Sequence, residues 1–243
     1  MELAAWYAAI AARAAILAFA PRFCRKLPCF CVWLVAACAK SGILALVGGR
    51  PNDSDLYREL YRILDPFVLA LLALAVFEIF WIRVSLYRAI RGTGLAMFAF
   101  GIAVASIPWW LSSDWLVALP GAWRMAFQAH RPVSIFLAGF CWLWLWLFRS
   151  WAVPRGLMAD RHHAILATLC VAEALSAVTT AAFGPRWAPV SNTALLAAGT
   201  VCSAAWMRLF WRPPAEPVQR QWNLDAVEAR FERLTASVAG ILR

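Results

Sequence analysis

Charge is scarce in this chain of 243 residues: only 15% of it is charged, lysine occurs only at Lys26 and Lys40, and there are three histidines. Each shortage removes a class of chemistry. Residues 191–211, the last apolar run, contain no lysine, which excludes retinal held as a Schiff base. His130, His162 and His163 fall in predicted loops or at a predicted helix end, which argues against haem ligated across a bundle. His162 and His163, beside Arg161, read as interfacial residues rather than metal ligands. No H-E-x-x-H, G-x-S-x-G or P-loop pattern occurs. Ser176 near Glu173 is too little to assign an intramembrane hydrolase, which needs a nucleophile with a base at hand. No catalytic residue, cofactor or metal site is predicted. The seven cysteines are odd in number and mostly lie in apolar runs, which argues against a disulfide framework. Cys24, Cys29 and Cys31 have the spacing C-x4-C-x-C with no second pair to complete a zinc site, and their place at a membrane boundary suits reversible palmitoylation.

Apolar residues are abundant. They make up 63% of the chain, against about 45–50% in soluble domains, and the mean hydropathy is +0.67. A bilayer core about 30 Å thick takes roughly 20 apolar residues per helical crossing. Seven runs meet or approach that length: 3–20, 29–48, 67–88, 94–112, 133–149, 163–183 and 191–211. The first is alanine-rich and interrupted by Arg13. A cleaved signal peptide is the rival reading of it, but no basic stretch precedes the run and Pro21 directly follows the A-x-A-like residues 18–20. The expected fold is therefore an all-α membrane protein, a seven-transmembrane-helix bundle over 1–211, with a cytoplasmic tail over 212–243.

Basic residues in short loops set the orientation. Arg22, Arg25 and Lys26, then Arg83, Arg88 and Arg91, then Arg149, Arg155 and Arg161 stand almost uncompensated in the first, third and fifth connections. The other connections are nearly balanced or carry few charges. The expectation is N-terminus out, C-terminus in, in an integral cytoplasmic (inner) membrane. Trp109, Trp110, Trp115 and Trp123 match an interfacial aromatic belt, and residues 113–132 are expected to lie along the outer surface. Asp53 or Ser54 can cap a short helix before the third run, which Pro66 is expected to end or kink. Arginines spread over short loops do not form a nucleic-acid face, so no nucleic acid is expected as a partner.

The tail changes character. Pro213, Pro214 and Pro217 break the seventh helix, and Leu224, Val227, Phe231, Leu234, Val238 and Ile241 then recur at 3-4-3-4-3 spacing. That repeat aligns one apolar seam on a helix, suited to a homo- or hetero-oligomeric contact or to the cytoplasmic lipid surface.

The costliest residues are charges within the runs. Arg13, Lys40, Glu78 and Glu173 fall near the middle of crossings, where an ionised side chain costs at least about 2.5–3.5 kcal/mol. Estimated depth pairs Arg13 with Glu78 and Lys40 with Glu173. Cys170, Ser176 and Thr180 share a helix face with Glu173 and extend a small polar stripe into the bundle. Such pairs either fix helix register or line a cavity that binds a ligand or relays protons. The order Leu56-Tyr57-Arg58-Glu59-Leu60-Tyr61, a helix with Glu78 and a basic Arg83-to-Arg91 loop resembles small uncharacterised bacterial seven-helix membrane proteins. The resemblance extends over 28–211 and implies no activity. Two functions follow as expectations: a non-enzymatic sensor-like or scaffold subunit, or a small-solute or proton-coupled transporter using Glu78 and Glu173.

Overall fold

The computed structural model describes residues 2–48, 54–84, 88–111, 121–150, 157–183 and 187–213, with Ala229 and Arg233 of the tail. Among these residues the protein is entirely helical: α1 (Glu2–Leu17), α2 (Ala20–Phe23), α3 (Pro28–Gly48), α4 (Ser54–Val84), α5 (Arg88–Leu111), α6 (Gly121–Ser150), α7 (Leu157–Phe183) and α8 (Ala188–Trp211). Four spans are long and apolar enough to cross a membrane: Pro28–Val47, Glu59–Val84, Met158–Thr179 and Val190–Trp211. The apolar stretches Trp6–Leu17, Arg91–Ala105 and Pro132–Phe148 are shorter.

Two helices run on where the sequence suggested a break. Pro66 lies inside the 31-residue α4, which at 1.5 Å per residue is about 46 Å long. The missing proline N–H removes one intrahelical bond without ending the helix, because the residues on both sides pack against neighbours. Likewise α6 starts at Gly121 and continues through Pro132 as one 30-residue helix, so 121–132 belongs to it rather than to a separate surface segment. The tryptophan side chains expected as an outer belt, at 109, 110, 115 and 123, lie outside the described residues.

Helix neighbours trace a closed ring: α1 beside α3, α3 beside α4, α4 beside α6, α6 beside α7, α7 beside α8, and α8 back against α1. α5 packs outside this ring, chiefly on α6 and less on α4. Its close approach depends on glycine. A methyl group at Gly94 would collide with the rings of Phe80 and Trp144, and one at Gly101 with the ring of Phe136. On α8 the close contact is at buried Gly199, against the Arg13 guanidinium, while Ala197 and Ala204 are exposed.

Buried between the helices are Phe30, Leu34, Val76, Phe80, Leu137 and Leu166, all nearly inaccessible. Outward positions include Leu46, Phe100, Trp146 and Val201, each more than half exposed. This is the pattern of a bundle whose outer surface meets an apolar solvent.

Cys24, the C-cap of α2, is disulfide-bonded to Cys31 in the first turn of α3. The odd cysteine total hid this pair, because a bridge across one tight turn needs no wider framework. Of the tail seam, Leu224, Val227, Phe231, Leu234, Val238 and Ile241 all lie outside the described residues.

Candidate functional site: a charged cavity and a sealed polar cluster

A cavity of about 80 Å³ lies inside the ring, lined from α1, α3, α4, α7 and α8. Its charged residues are Arg13, Lys40, Asp65 and Glu173. Arg13 donates from Nη1 to the Ser41 hydroxyl and, at 3.3 Å, to the Ala37 carbonyl, and the Glu173 carboxylate attracts it electrostatically. Lys40 forms an ion pair with Asp65, and its Nζ sits 4.9 Å from the centre of the Tyr61 ring. Trp33 also lines the cavity, 4% exposed, and its indole N–H has no hydrogen-bond partner. Leu69, Leu72, Leu169 and Leu196 supply apolar wall. Such a space admits a few waters or a solute of a few heavy atoms, well below the roughly 300–1,000 Å³ of a drug-sized site.

Three of the four charges singled out in the sequence therefore meet, but in other pairs. Arg13 does not reach Glu78; it faces Glu173 and Ser41. Lys40 is paired with Asp65 rather than Glu173. Both carboxylate oxygens of Glu78 are engaged elsewhere, accepting from the backbone N–H groups of Cys29 and Phe30 at 2.9 Å each. These N–H groups belong to the first turn of α3, where no intrahelical acceptor exists and a negative charge opposes the helix dipole favourably. Glu78 thus caps a neighbouring helix. The sequence carried a signal for this: Pro28 opens α3 directly after Leu27, with no Ser, Thr, Asp or Asn to cap it locally. Asp65 was missed because Pro66 suggested a helix end there. Its signal is the spacing of Tyr61, Asp65, Leu69 and Leu72 along one face.

The polar stripe beside Glu173 is only partly in the cavity. Cys170 is buried and meets Cys141 of α6. Ser176 is half-buried, and the Thr180 side chain lies outside the described residues.

A second polar cluster occupies the opposite end of the ring. Buried Arg83 of α4 forms an ion pair with Asp160, donates to His163 Nδ1 at 2.8 Å, and lies 4.4 Å from the centre of the Phe148 ring. His163 Nε2 then donates to the Cys141 carbonyl at 3.1 Å. This network assigns His163 the neutral tautomer with its proton on Nε2. Trp206 of α8 donates from Nε1 to His162 Nδ1 at 2.9 Å. The His162 ring meets Phe30 edge-on, with ring centres 4.7 Å apart. Both histidines are buried, at 1% and 2% exposure, not interfacial. α7 begins at Leu157, six residues before the predicted run, and carries them into the core. Arg83, read as a loop charge, is neutralised by Asp160.

Trp33 joins the two regions. Its ring contacts Phe30 at 5.6 Å, tilted, and Trp206 at 5.9 Å, edge-on, so the cavity is bounded toward the second cluster by packed aromatic side chains. Comparison with known protein families, curated proteins and solved structures finds no match.

Proposed function

We propose that the protein is a seven-crossing inner-membrane protein of the sensor-like type, whose bundle recognises a small polar molecule in the Arg13–Lys40–Asp65–Glu173 cavity and whose tail contacts another chain. The single observation carrying this reading is that cavity. Four charges line a space of about 80 Å³, although each intramembrane charge is costly unless matched. The aromatic and ion-paired closure on the other side supports recognition over passage. Topology follows the loop arginines: N-terminus out, C-terminus in, with α1, α5 and α6 crossing beside the four longer apolar spans, their shorter apolar stretches supported by neighbours.

In this orientation the Cys24–Cys31 pair faces the reducing compartment, where disulfides do not persist. Alkylation of both thiols by maleimide in intact, unreduced cells therefore supports it. A protected, oxidised pair supports the opposite orientation.

The second reading, a small-solute or proton-coupled transporter, keeps Glu173 in the cavity and loses Glu78, whose two oxygens are bound to backbone. The two readings separate in proteoliposomes. A receptor is stabilised by its ligand and passes none, whereas solute flux abolished by Glu173→Gln establishes transport. Deleting residues 218–243 is expected to leave the bundle folded and remove a co-purifying chain. An unchanged set of bound proteins contradicts the role of the tail.

A further inference from the structure

Resting on the receptor reading above, we infer that the cavity takes a small zwitterion: a solute with one ammonium and one carboxylate group on a skeleton of a few heavy atoms. The charges lining the cavity are two cations and two anions, and they are matched, Lys40 with Asp65 and Arg13 with Glu173. A net ion entering a balanced, leucine-walled site leaves one charge uncompensated in a low dielectric, which is costly. A zwitterion preserves the balance. Its two groups each find charge-assisted hydrogen bonds, stronger than those an uncharged solute makes.

The lining sets where each group sits. Arg13 is the donor for the ligand carboxylate, leaving the ammonium to Asp65 and Glu173. The Tyr61 ring already faces one ammonium, that of Lys40, and offers the cation a compatible wall. The volume of about 80 Å³ limits the skeleton to a few heavy atoms.

Thermal unfolding of the purified full-length protein in mild detergent tests this, with glycine, β-alanine, acetate, ethylammonium and acetamide as probes at equal ionic strength. Saturable stabilisation by glycine or β-alanine, absent with the other three, is expected. Stabilisation by acetate, ethylammonium or acetamide alone overturns the zwitterion and leaves a receptor for another solute. No response to any probe, with no small molecule retained on purification, overturns both.

Glu173→Gln gives the cavity one excess positive charge, so preference is expected to move from glycine to acetate by about tenfold or more. Asp65→Asn makes the same change on another helix if the first variant does not fold. Unchanged selectivity in a folded variant overturns the proposal. A zwitterionic lipid headgroup carries the same charge pair. Nanodiscs of phosphatidylglycerol with or without phosphatidylethanolamine distinguish the sources: response to glycine in the pure phosphatidylglycerol discs assigns a free solute, and stabilisation by phosphatidylethanolamine alone assigns a headgroup.

Discussion

The two polar regions are built from the same residue types and differ in how completely they are filled. In the cluster around Arg83 the guanidinium is divided among Asp160, His163 and the Phe148 ring, and His163 donates from Nε2 to a backbone carbonyl. In the cavity Lys40 is paired with Asp65 and Arg13 bonds Ser41, and a volume of about 80 Å³ remains beside them. A filled cluster locks helices together; an unfilled one leaves interactions available to a ligand. Burial alone does not distinguish them, since Asp65 and Arg83 are both below a tenth exposed. The remaining cavity volume does.

The contrast breaks most sharply at Arg83. Replacing it with alanine strands Asp160 and deprives His163 of its donor, and removing one partner of a buried pair costs about 3–5 kcal/mol. The Arg83→Ala variant is expected to show the largest fall in unfolding temperature of any discussed here, measured by tryptophan fluorescence in detergent. A small change, comparable to a surface substitution, contradicts the lock. Lys40→Met and Asp65→Leu come next. Each single change leaves the other charge unpaired in the bundle, whereas the double variant removes both and is expected to recover about 2 kcal/mol or more of the loss. Additive losses in this double-mutant cycle argue that the two residues do not interact.

Packing contributes the third effect. Gly94→Ala drives a methyl group into the Phe80 ring, itself 1% exposed, and overpacking of this kind costs about 1–3 kcal/mol. Gly92→Ala, two residues away with open space around it, is the control and is expected to be neutral or slightly stabilising. A comparable effect belongs to Glu78→Gln, whose amide oxygen keeps one α3 N–H group while its NH2 confronts the other, leaving that donor unmade at a cost of about 1–3 kcal/mol. Its ligand response is expected to match wild type, in contrast to Glu173→Gln. A ligand defect in Glu78→Gln would join the two carboxylates functionally and favour the transporter reading.

The helices were legible in the sequence because apolar runs of bilayer length have few alternatives. α3, α7 and α8 lie close to where hydropathy put them, whereas α4 and α6 are longer. Pro66 was given the breaking effect it has on an isolated helix, and 113–132 was read as a surface segment, whereas Pro66 and Pro132 both lie within continuous helices. The importance of Arg13, Lys40 and Glu173 was also visible, since a charge in an apolar run stands out. Their partners were not, because pairing depends on the rotation of each helix about its axis, and ranking residues by depth contains no rotation. Glu78 shows the consequence: it sits at a plausible depth for Arg13 and instead serves the unsatisfied N–H groups of a neighbouring helix. His162 and His163 were placed at an interface because helix ends were judged by hydropathy, which treats a paired polar core residue and a solvated one alike.

Hydroxyl-radical footprinting of the full-length protein in native membranes addresses the difference between the two regions most directly. Radicals made from water oxidise aromatic side chains wherever water resides. Tyr61 and Trp33, which line the cavity, are predicted to be oxidised well above Trp206 and Phe30 in the sealed region, and a cavity ligand is predicted to suppress only the first pair. Equal oxidation of Tyr61 and Trp206, or protection of all four residues without ligand, would contradict a hydrated site standing over a dry one.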